Sequence, residues 1–441
     1  MPELTIAIVG SGQRSRKRAI ATIHAFRKDW RLIAACDPNS DACQDFTIQY
    51  PKIPTFPDVH KMIQWSRHNS RINCAYVAVP HHYYVEVVPL LLEAGISVLK
   101  EKPAAASFGE LIHFHQIADM NSVRLVTAGQ LRYGKRLAQI RAWMPLIGTV
   151  HTIEAERKLS IMDLSSGWRA STKLSGGGVL GDLGWHSLDE ILSLVPENSL
   201  VHVVYARMFH VRAYQGHDCE ESADVIIELE AKTKNSISAH LTVSRIGHDE
   251  TNKIIITGED GVIAASGEDV SLQKKFRSGE RTSHSAHARD EVSSFDRMFK
   301  RFHDENIEIK KSQPYFEHQL RDLKVTETLS RLYQHAEMAA CGHPKHSNRN
   351  NDQSIVGLQQ AQTTYEMKWP VIDSDLEHLV TGQLKKGISI YGNDGVFQTF
   401  ETEFKAYHNM MDCFALLHNS GTNALHALHF AAQLRPDHEV D

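Results

Sequence analysis

The stretch TIAIVGSGQRSRKRAIATI, Thr5 to Ile23, decides the fold. An apolar run rich in β-branched residues ends on Gly10, and helical spacing begins a few residues later. Strand, glycine turn and helix in that order open a βαβ unit, whose turn brings backbone amides and a helix N-terminus to where a pyrophosphate can be held. Gly10 and Gly12 take the first two positions of the dinucleotide fingerprint, and Ser15 stands at the third. Short glycine patterns also occur in ordinary turns, so the turn alone leaves open a doubly wound fold that binds no nucleotide.

The second apolar run ends in AACDPN, and an acid there, Asp37, suits the ribose hydroxyls of NAD. Pro38 and Asn39 offer a 2′-phosphate no cation, while Arg14 in the turn keeps NADP open. Ser11 and Gln13 complete the turn and count with Gly10, Gly12, Arg14 and Asp37 as cofactor-binding candidates. Five strand-like runs, LTIAIVG, RLIAACD, CAYVAVP, ISVLKEKP and VRLVTAG, alternate with helical stretches and predict a parallel, doubly wound Rossmann sheet over residues 1–148. The fourth run leads into Glu101, Lys102 and Pro103, at a strand end where open α/β sheets bind ligands. A lysine at such a place is most often a solvated charge. Beside a nicotinamide it is a cationic donor able to polarise a substrate hydroxyl.

Past residue 149 the runs lengthen and alternate: TVHTIEAERKL, LVHVVYARMF, ADVIIELEA, SISAHLTVS and KIIITG. They predict an α+β domain over 149–340 with a largely antiparallel open sheet, one face of it wetter than the other. Helices are expected near 174–195, 289–304 and 316–338. The first of these carries LSGGGVLGDLGWHSLDE, residues 174–190. Consecutive glycines lose much backbone entropy on folding, which predicts that the chain here passes close to a ligand. Asp182 and His186, four residues apart, share a helix face, and an imidazole titrates near operating pH as a general base must. The bland alternative makes Asp182 a helix cap and His186 a satisfied core imidazole.

The whole-chain numbers narrow the function classes. A chain of 441 residues, 42% hydrophobic and 23% charged, is a soluble composition long enough for two or three domains. A net charge of −5 gives no basic excess for nucleic acid. No apolar run reaches the length of a membrane span, and MPELTIAIVG lacks the features of a leader, so a cytoplasmic location is expected. The six cysteines contain no CxxC pair and the 27 histidines are scattered, so reduced thiols and no metal site are expected.

The glycine turn at 10–15, EKP at 101–103 and GGGVLGDLGWHSLD at 176–189 together resemble the Gfo/Idh/MocA oxidoreductases, over about residues 3–340. The resemblance implies that Lys102 and His186 flank the reacting carbon with Asp182 beside them, and that Pro80, His81, Glu101 and Lys102 itself line the cofactor. It implies sugar, cyclitol or nucleotide-sugar substrates, and homo-oligomers formed through the open sheet. The chain departs from the pattern at Ser15, and in VPHHYYVEVV, where His81 and Tyr84 stand at positions commonly Asn and His. Arg14 in GSGQRS is similar to a subset that includes NAD-dependent glycosidases, an alternative enzyme class. Residues 341–368 read as a polar linker. Residues 369–441 resemble the opening of the DegT/DnrJ/EryC1/StrS aminotransferases, whose phosphate cradle for pyridoxal phosphate falls here on Ser420, Gly421 and Thr422. The chain ends at Asp441, ahead of that family's Schiff-base lysine, so pyridoxal phosphate is not expected to be retained. The fusion suggests amino-sugar or aminocyclitol biosynthesis with an aminotransferase partner. A non-catalytic scaffold subunit is the non-enzymatic alternative.

Overall fold

In a computed structural model, the run that opens the chain is strand β1 (Leu4–Val9), buried from Thr5 onward because helices cover both faces of its sheet. The structure describes residues 3–341 except 13–14, 161–167, 211–217, 231–235, 247–248, 276–280 and 308–312. Ser420, Gly421, Thr422 and the rest of 342–441 lie outside the described residues. With β2 (Trp30–Cys36), β3 (Thr55–Phe56), β4 (Cys74–Val77), β5 (Ser97–Lys100) and β6 (Leu125–Thr127), β1 forms a six-stranded sheet in the order β3-β2-β1-β4-β5-β6. All its pairings are parallel. The chain reverses direction across the sheet between β1 and β4, the kind of switch point that opens a crevice for a ligand. All five expected runs are strands in the expected order; the third, fourth and fifth become β4, β5 and β6 because β3 intervenes, and its two residues are too few to show a period.

Helices α1 (Ile20–Ala25), α2 (Ser40–Gln49), α3 (Val59–His68), α4 (Tyr84–Glu93) and α5 (Phe108–Met120) connect these strands. Their starts follow capping chemistry: the side chains of Asn39, Asp58 and Ser107 accept amides in the first turns of α2, α3 and α5. After α6 (Lys135–Trp143) the second sheet begins with β7 (Val150–Lys158). It continues with α7 (Thr172–Ser175), α8 (Trp185–Ser193), β8 (Leu200–Phe209), β9 (Ser222–Glu230), β10 (Ser236–Ser244) and β11 (Thr251–Gly258). The hairpins β12 (Gly261–Ser266), β13 (Asp269–Lys275) and β14 (Arg281–His287) extend it to eight strands in the order β14-β13-β12-β11-β7-β10-β9-β8. Among the described residues, β7 and β10 pair in parallel and the other pairings of this sheet are antiparallel.

Alternation along β9 explains how this sheet is used. Ala223, Val225, Ile227 and Leu229 are buried, in one core with Trp185, Leu188 and Ile191 of α8. The same core takes in Val325, Leu329 and Leu332 of a long helix that, after α9 (Ser294–Ile307), closes the described chain as α10 (Gln313–Cys341). Each valine, leucine or isoleucine buried here is worth roughly 1.5–3 kcal/mol. α9 does something its place in the sequence does not announce: Phe295, Met298, Phe299 and Phe302 pack on Ile6, Ile8, Trp30 and Tyr76 of the first sheet. Arg132 ties the layers together, with Nε donating to both carboxylate oxygens of Asp189 at 2.8 and 2.9 Å and Nη2 pairing with Asp322. All three are buried, so loss of Arg132 would leave both carboxylates without this counter-ion. Among the described residues no helix is long and apolar enough to cross a membrane.

Candidate active site

The candidate site is built first from strand ends. Gly10 has φ +87°, and a Cβ there would meet the Ala78 carbonyl oxygen at 2.3 Å, so this glycine lets the end of β4 come close. Gly12 is different: among the described residues a Cβ there would meet nothing within 4 Å. Ser15 is buried, and its hydroxyl donates to the Gly10 carbonyl at 2.5 Å, so the departure from glycine braces the turn from inside. At the tip of β2, the Asp37 carboxylate accepts from the Ser11 amide at 2.7 Å, the Ser11 hydroxyl at 3.1 Å and the Asn39 amide at 3.0 Å. An open ledge at Gly12 beside an acid at the next strand end fits a dinucleotide, its pyrophosphate on the turn and its ribose on Asp37. Gln13 and Arg14 lie outside the described residues.

The neighbouring strand ends bring the remaining candidates. Pro80 starts the turn His81–Tyr83 after β4. His81 is buried, with Nδ1 2.7 Å from the Ser175 carbonyl oxygen, its ring stacked on Tyr84 and edge-on to Trp168. Burial lowers its pKa to about 3, so the ring is neutral at pH 7 and Nδ1 carries the proton it donates to Ser175. The Glu101 carboxylate accepts from the Tyr76 hydroxyl at 2.6 Å. Lys102, joined to Pro103 by a cis peptide bond, donates from Nζ to the Asp182 carbonyl oxygen at 2.8 Å and pairs with the Asp182 carboxylate.

The glycine triplet turns out to approach the protein itself. Gly176 and Gly177 have φ +76° and +147°. A Cβ on Gly177 would stand 2.4 Å from the Tyr333 hydroxyl, and one on Gly178 2.2 Å from the Glu220 carbonyl oxygen. The expectation that these glycines clear space for a ligand is therefore corrected: they clear it for Tyr333 and Glu220. The Glu220 carboxylate accepts from the amides of Gly178 and Leu180 at 2.8 and 2.9 Å and from the Tyr333 hydroxyl at 2.8 Å. It satisfies backbone at the head of the π-helical turn Leu180–Gly184, which runs straight into α8. Glu220 thus fills the capping role that the bland alternative gave to Asp182.

Asp182 is released for other contacts. One carboxylate oxygen pairs with Lys102; the other accepts from Arg245 Nη2 at 3.1 Å and lies 3.8 Å from Arg169 Nε. Burial alone would raise the Asp182 pKa, but Lys102, Arg245 and Arg169 outweigh it and hold the group far below the usual carboxylate range. Asp182 is a fixed anion and a poor proton acceptor. His186 sits in the first turn of α8, buried, edge-on to Trp185 at 5.4 Å between ring centroids. Arg245, Glu220, Tyr333 and Arg169 were not singled out from the sequence. Arg245 ends an alternating strand run and Glu220 precedes one, positions with no local signal of their own.

The fold and these strand-end residues define a Rossmann-type architecture with the features of a dinucleotide site. Residues 4–129 match the oxidoreductase family with an NAD-binding Rossmann fold, and residues 145–264 match the Gfo/Idh/MocA C-terminal domain. The chain belongs to the Gfo/Idh/MocA family. It is 29% identical over 199 residues to an Amycolatopsis mediterranei protein provisionally named UDP-kanosamine synthase oxidoreductase subunit, covering 45% of this chain and 53% of that one. It is 27% identical over 192 residues to D-glucoside 3-dehydrogenase of Escherichia coli, covering 42% and 52%. The chain thus spans about half the length of these curated relatives. A 3-ketoreductase of Actinomadura kijaniata, solved with NADP and TDP-benzene, superimposes with a TM-score of 0.63 at 16% identity, over 75% of this chain and 98% of that one.

Proposed function

We propose that this chain is an NAD(P)-dependent dehydrogenase that interconverts a hydroxyl and a ketone on a sugar, nucleotide sugar or cyclitol. The observation that carries the reading is Lys102 held on ionised Asp182 at the carboxyl end of β5, in the sheet whose β1 and β2 ends carry Gly12 and Asp37. The nicotinamide, when bound, supplies a hydride acceptor or donor. His186 takes the hydroxyl proton, Lys102 donates a hydrogen bond to the same oxygen, and Asp182 keeps the Lys102 ammonium in place. Asp37 favours NAD, since its charge repels a 2′-phosphate. The names of the relatives, a glucoside 3-dehydrogenase and a 3-ketoreductase, support a sugar ring as substrate.

In the same reading, residues 1–148 hold cofactor and 149–340 hold substrate, with copies joined through the open sheet in the cytoplasm. Residues 369–441 are an aminotransferase-like segment whose partner would aminate the ketone. The test is a screen of sugars, inositols and nucleotide sugars, following absorbance of the reduced cofactor with NAD and with NADP. Reduction of NAD by at least one of these substrates is expected. Absence of reduction with every one of them, by protein shown to bind NAD, sinks the dehydrogenase reading.

A further inference from the structure

The residue that ends β5 is a lysine with no exposed surface, Lys100. Strand alternation puts it on the side of Val98, toward the core shared by α4 and α5. Its Nζ donates to the carbonyl oxygens of Glu101 at 3.1 Å and Pro103 at 2.5 Å and stands 3.8 Å from the centre of the Tyr84 ring. The Tyr84 hydroxyl donates to the same Glu101 carbonyl at 2.9 Å. These two carbonyls lie on either side of Lys102. Glu110 of α5 is the other half of this arrangement: its carboxylate accepts from the Ala106 amide at 3.2 Å, farther along the same loop. Burial pulls the Lys100 pKa down to about 7 and pushes that of Glu110 up, so the cluster holds its ammonium at a cost that an apolar residue would avoid.

We propose that Lys100 is a positioning residue, its ammonium clamping the two carbonyls that flank Lys102 and so fixing the Lys102 amine on Asp182. The inference rests on the reading of Lys102 as the group that meets substrate oxygen. A clamp built on backbone carbonyls holds the loop without competing for the Lys102 side chain, and it acts before any substrate arrives.

The test needs no substrate. Competitive amine labelling followed by mass spectrometry compares Lys102 with exposed Lys61 in the whole chain. In Lys100→Met, Lys102 should label about tenfold faster relative to Lys61, because an amine no longer held on Asp182 is more open to the reagent. Tyr84→Phe, which removes the tyrosine's donation to the Glu101 carbonyl and little volume, should raise the ratio about threefold, and it decides the matter if Lys100→Met does not fold. An unchanged ratio in the folded variants overturns the proposal. Where activity is found, Lys100→Met should lower kcat about tenfold with KM nearly constant, and should cost nothing further in a Lys102→Ala background. Additive losses overturn the proposal as well. Wild-type protein without dehydrogenase activity but with the labelling change would refute the functional reading and leave the clamp standing.

Discussion

Gly12 and the pair Gly177–Gly178 sit in glycine-rich stretches that look alike in the sequence, and they do opposite things. At Gly12 the missing Cβ leaves space open among the described residues, where an atom from outside the chain can come against backbone. At Gly177 and Gly178 the missing Cβ is already used up by Tyr333 and Glu220. A glycine states that something comes close; only the fold says whether that neighbour is a ligand or the protein. The triplet still serves the site, but indirectly: by letting Glu220 take the amides at the head of the π turn, it frees the Asp182 carboxylate for Lys102 and Arg245.

The sharpest way to break this comparison is to add the same methyl group to each stretch. Gly178→Ala should destabilise the fold by about 3 kcal/mol or more, since its Cβ meets a backbone carbonyl that cannot retreat. Gly12→Ala should leave Tm almost unchanged while weakening NAD binding about tenfold or more, because its Cβ would occupy the ledge itself. Thermal unfolding and a cofactor titration on both variants settle the point. Equal effects on both readouts would erase the distinction drawn between the two stretches.

Next in size are the groups that the triplet supports. Lys102→Ala and His186→Ala should each lower turnover by about two orders of magnitude with NAD affinity largely kept, the usual worth of acid–base and hydrogen-bonding help. Steady-state kinetics on an identified substrate would show this. Near-normal turnover in either variant removes that residue from the proposed chemistry.

Why the first stretch could be read and the second was misread is a matter of range. The strand, turn and helix around Gly10 are consecutive, and their periods change within about twenty residues, so apolar spacing alone reveals them. Lys102 and Asp182 were each visible as polar residues in short patterns. Glu220 and Tyr333 lie 42 and 152 residues from the backbone they contact at Gly178 and Gly181, and no local period links such positions. Strand β3 escaped notice for the opposite reason, being two residues long. α9 showed its apolar stripe plainly, but a stripe does not say which sheet it will cover.

His81 joins the two regions, since it follows β4 and donates to Ser175 just ahead of the triplet. Its folded pKa of about 3 lies below the ordinary histidine value of 6.5, so the folded state resists protonation that the unfolded chain accepts. The stabilising term is complete above pH 6.5 and is lost as pH falls toward 3. At pH 5 the loss is about 2 kcal/mol by linkage. His81→Asn retains an amide donor and does not titrate, so its denaturant midpoint should fall less than that of the wild type between pH 7 and pH 5. Identical pH slopes would mean that the ring already meets water in the folded protein.

The smallest expected effect is at Ser15, where the chain departs from the fingerprint. Read as a cofactor position, Ser15→Gly should restore the pattern and improve NAD binding. The geometry argues otherwise. Ser15 is fully buried and its hydroxyl spends its proton on the Gly10 carbonyl, so the side chain braces the turn and presents nothing to a pyrophosphate. Glycine there would lose one hydrogen bond, worth about 1 kcal/mol net, and add backbone entropy to the unfolded chain. Ser15→Gly should therefore lower stability by about 1–2 kcal/mol and change NAD affinity less than about threefold. Ser15→Ala separates the two losses, since it removes the hydroxyl without the added entropy and should fall between glycine and wild type. Denaturant unfolding beside a cofactor titration reads both. A large gain in NAD affinity with glycine would mean that the serine obstructs the ledge, and the inward brace would then have to be given up.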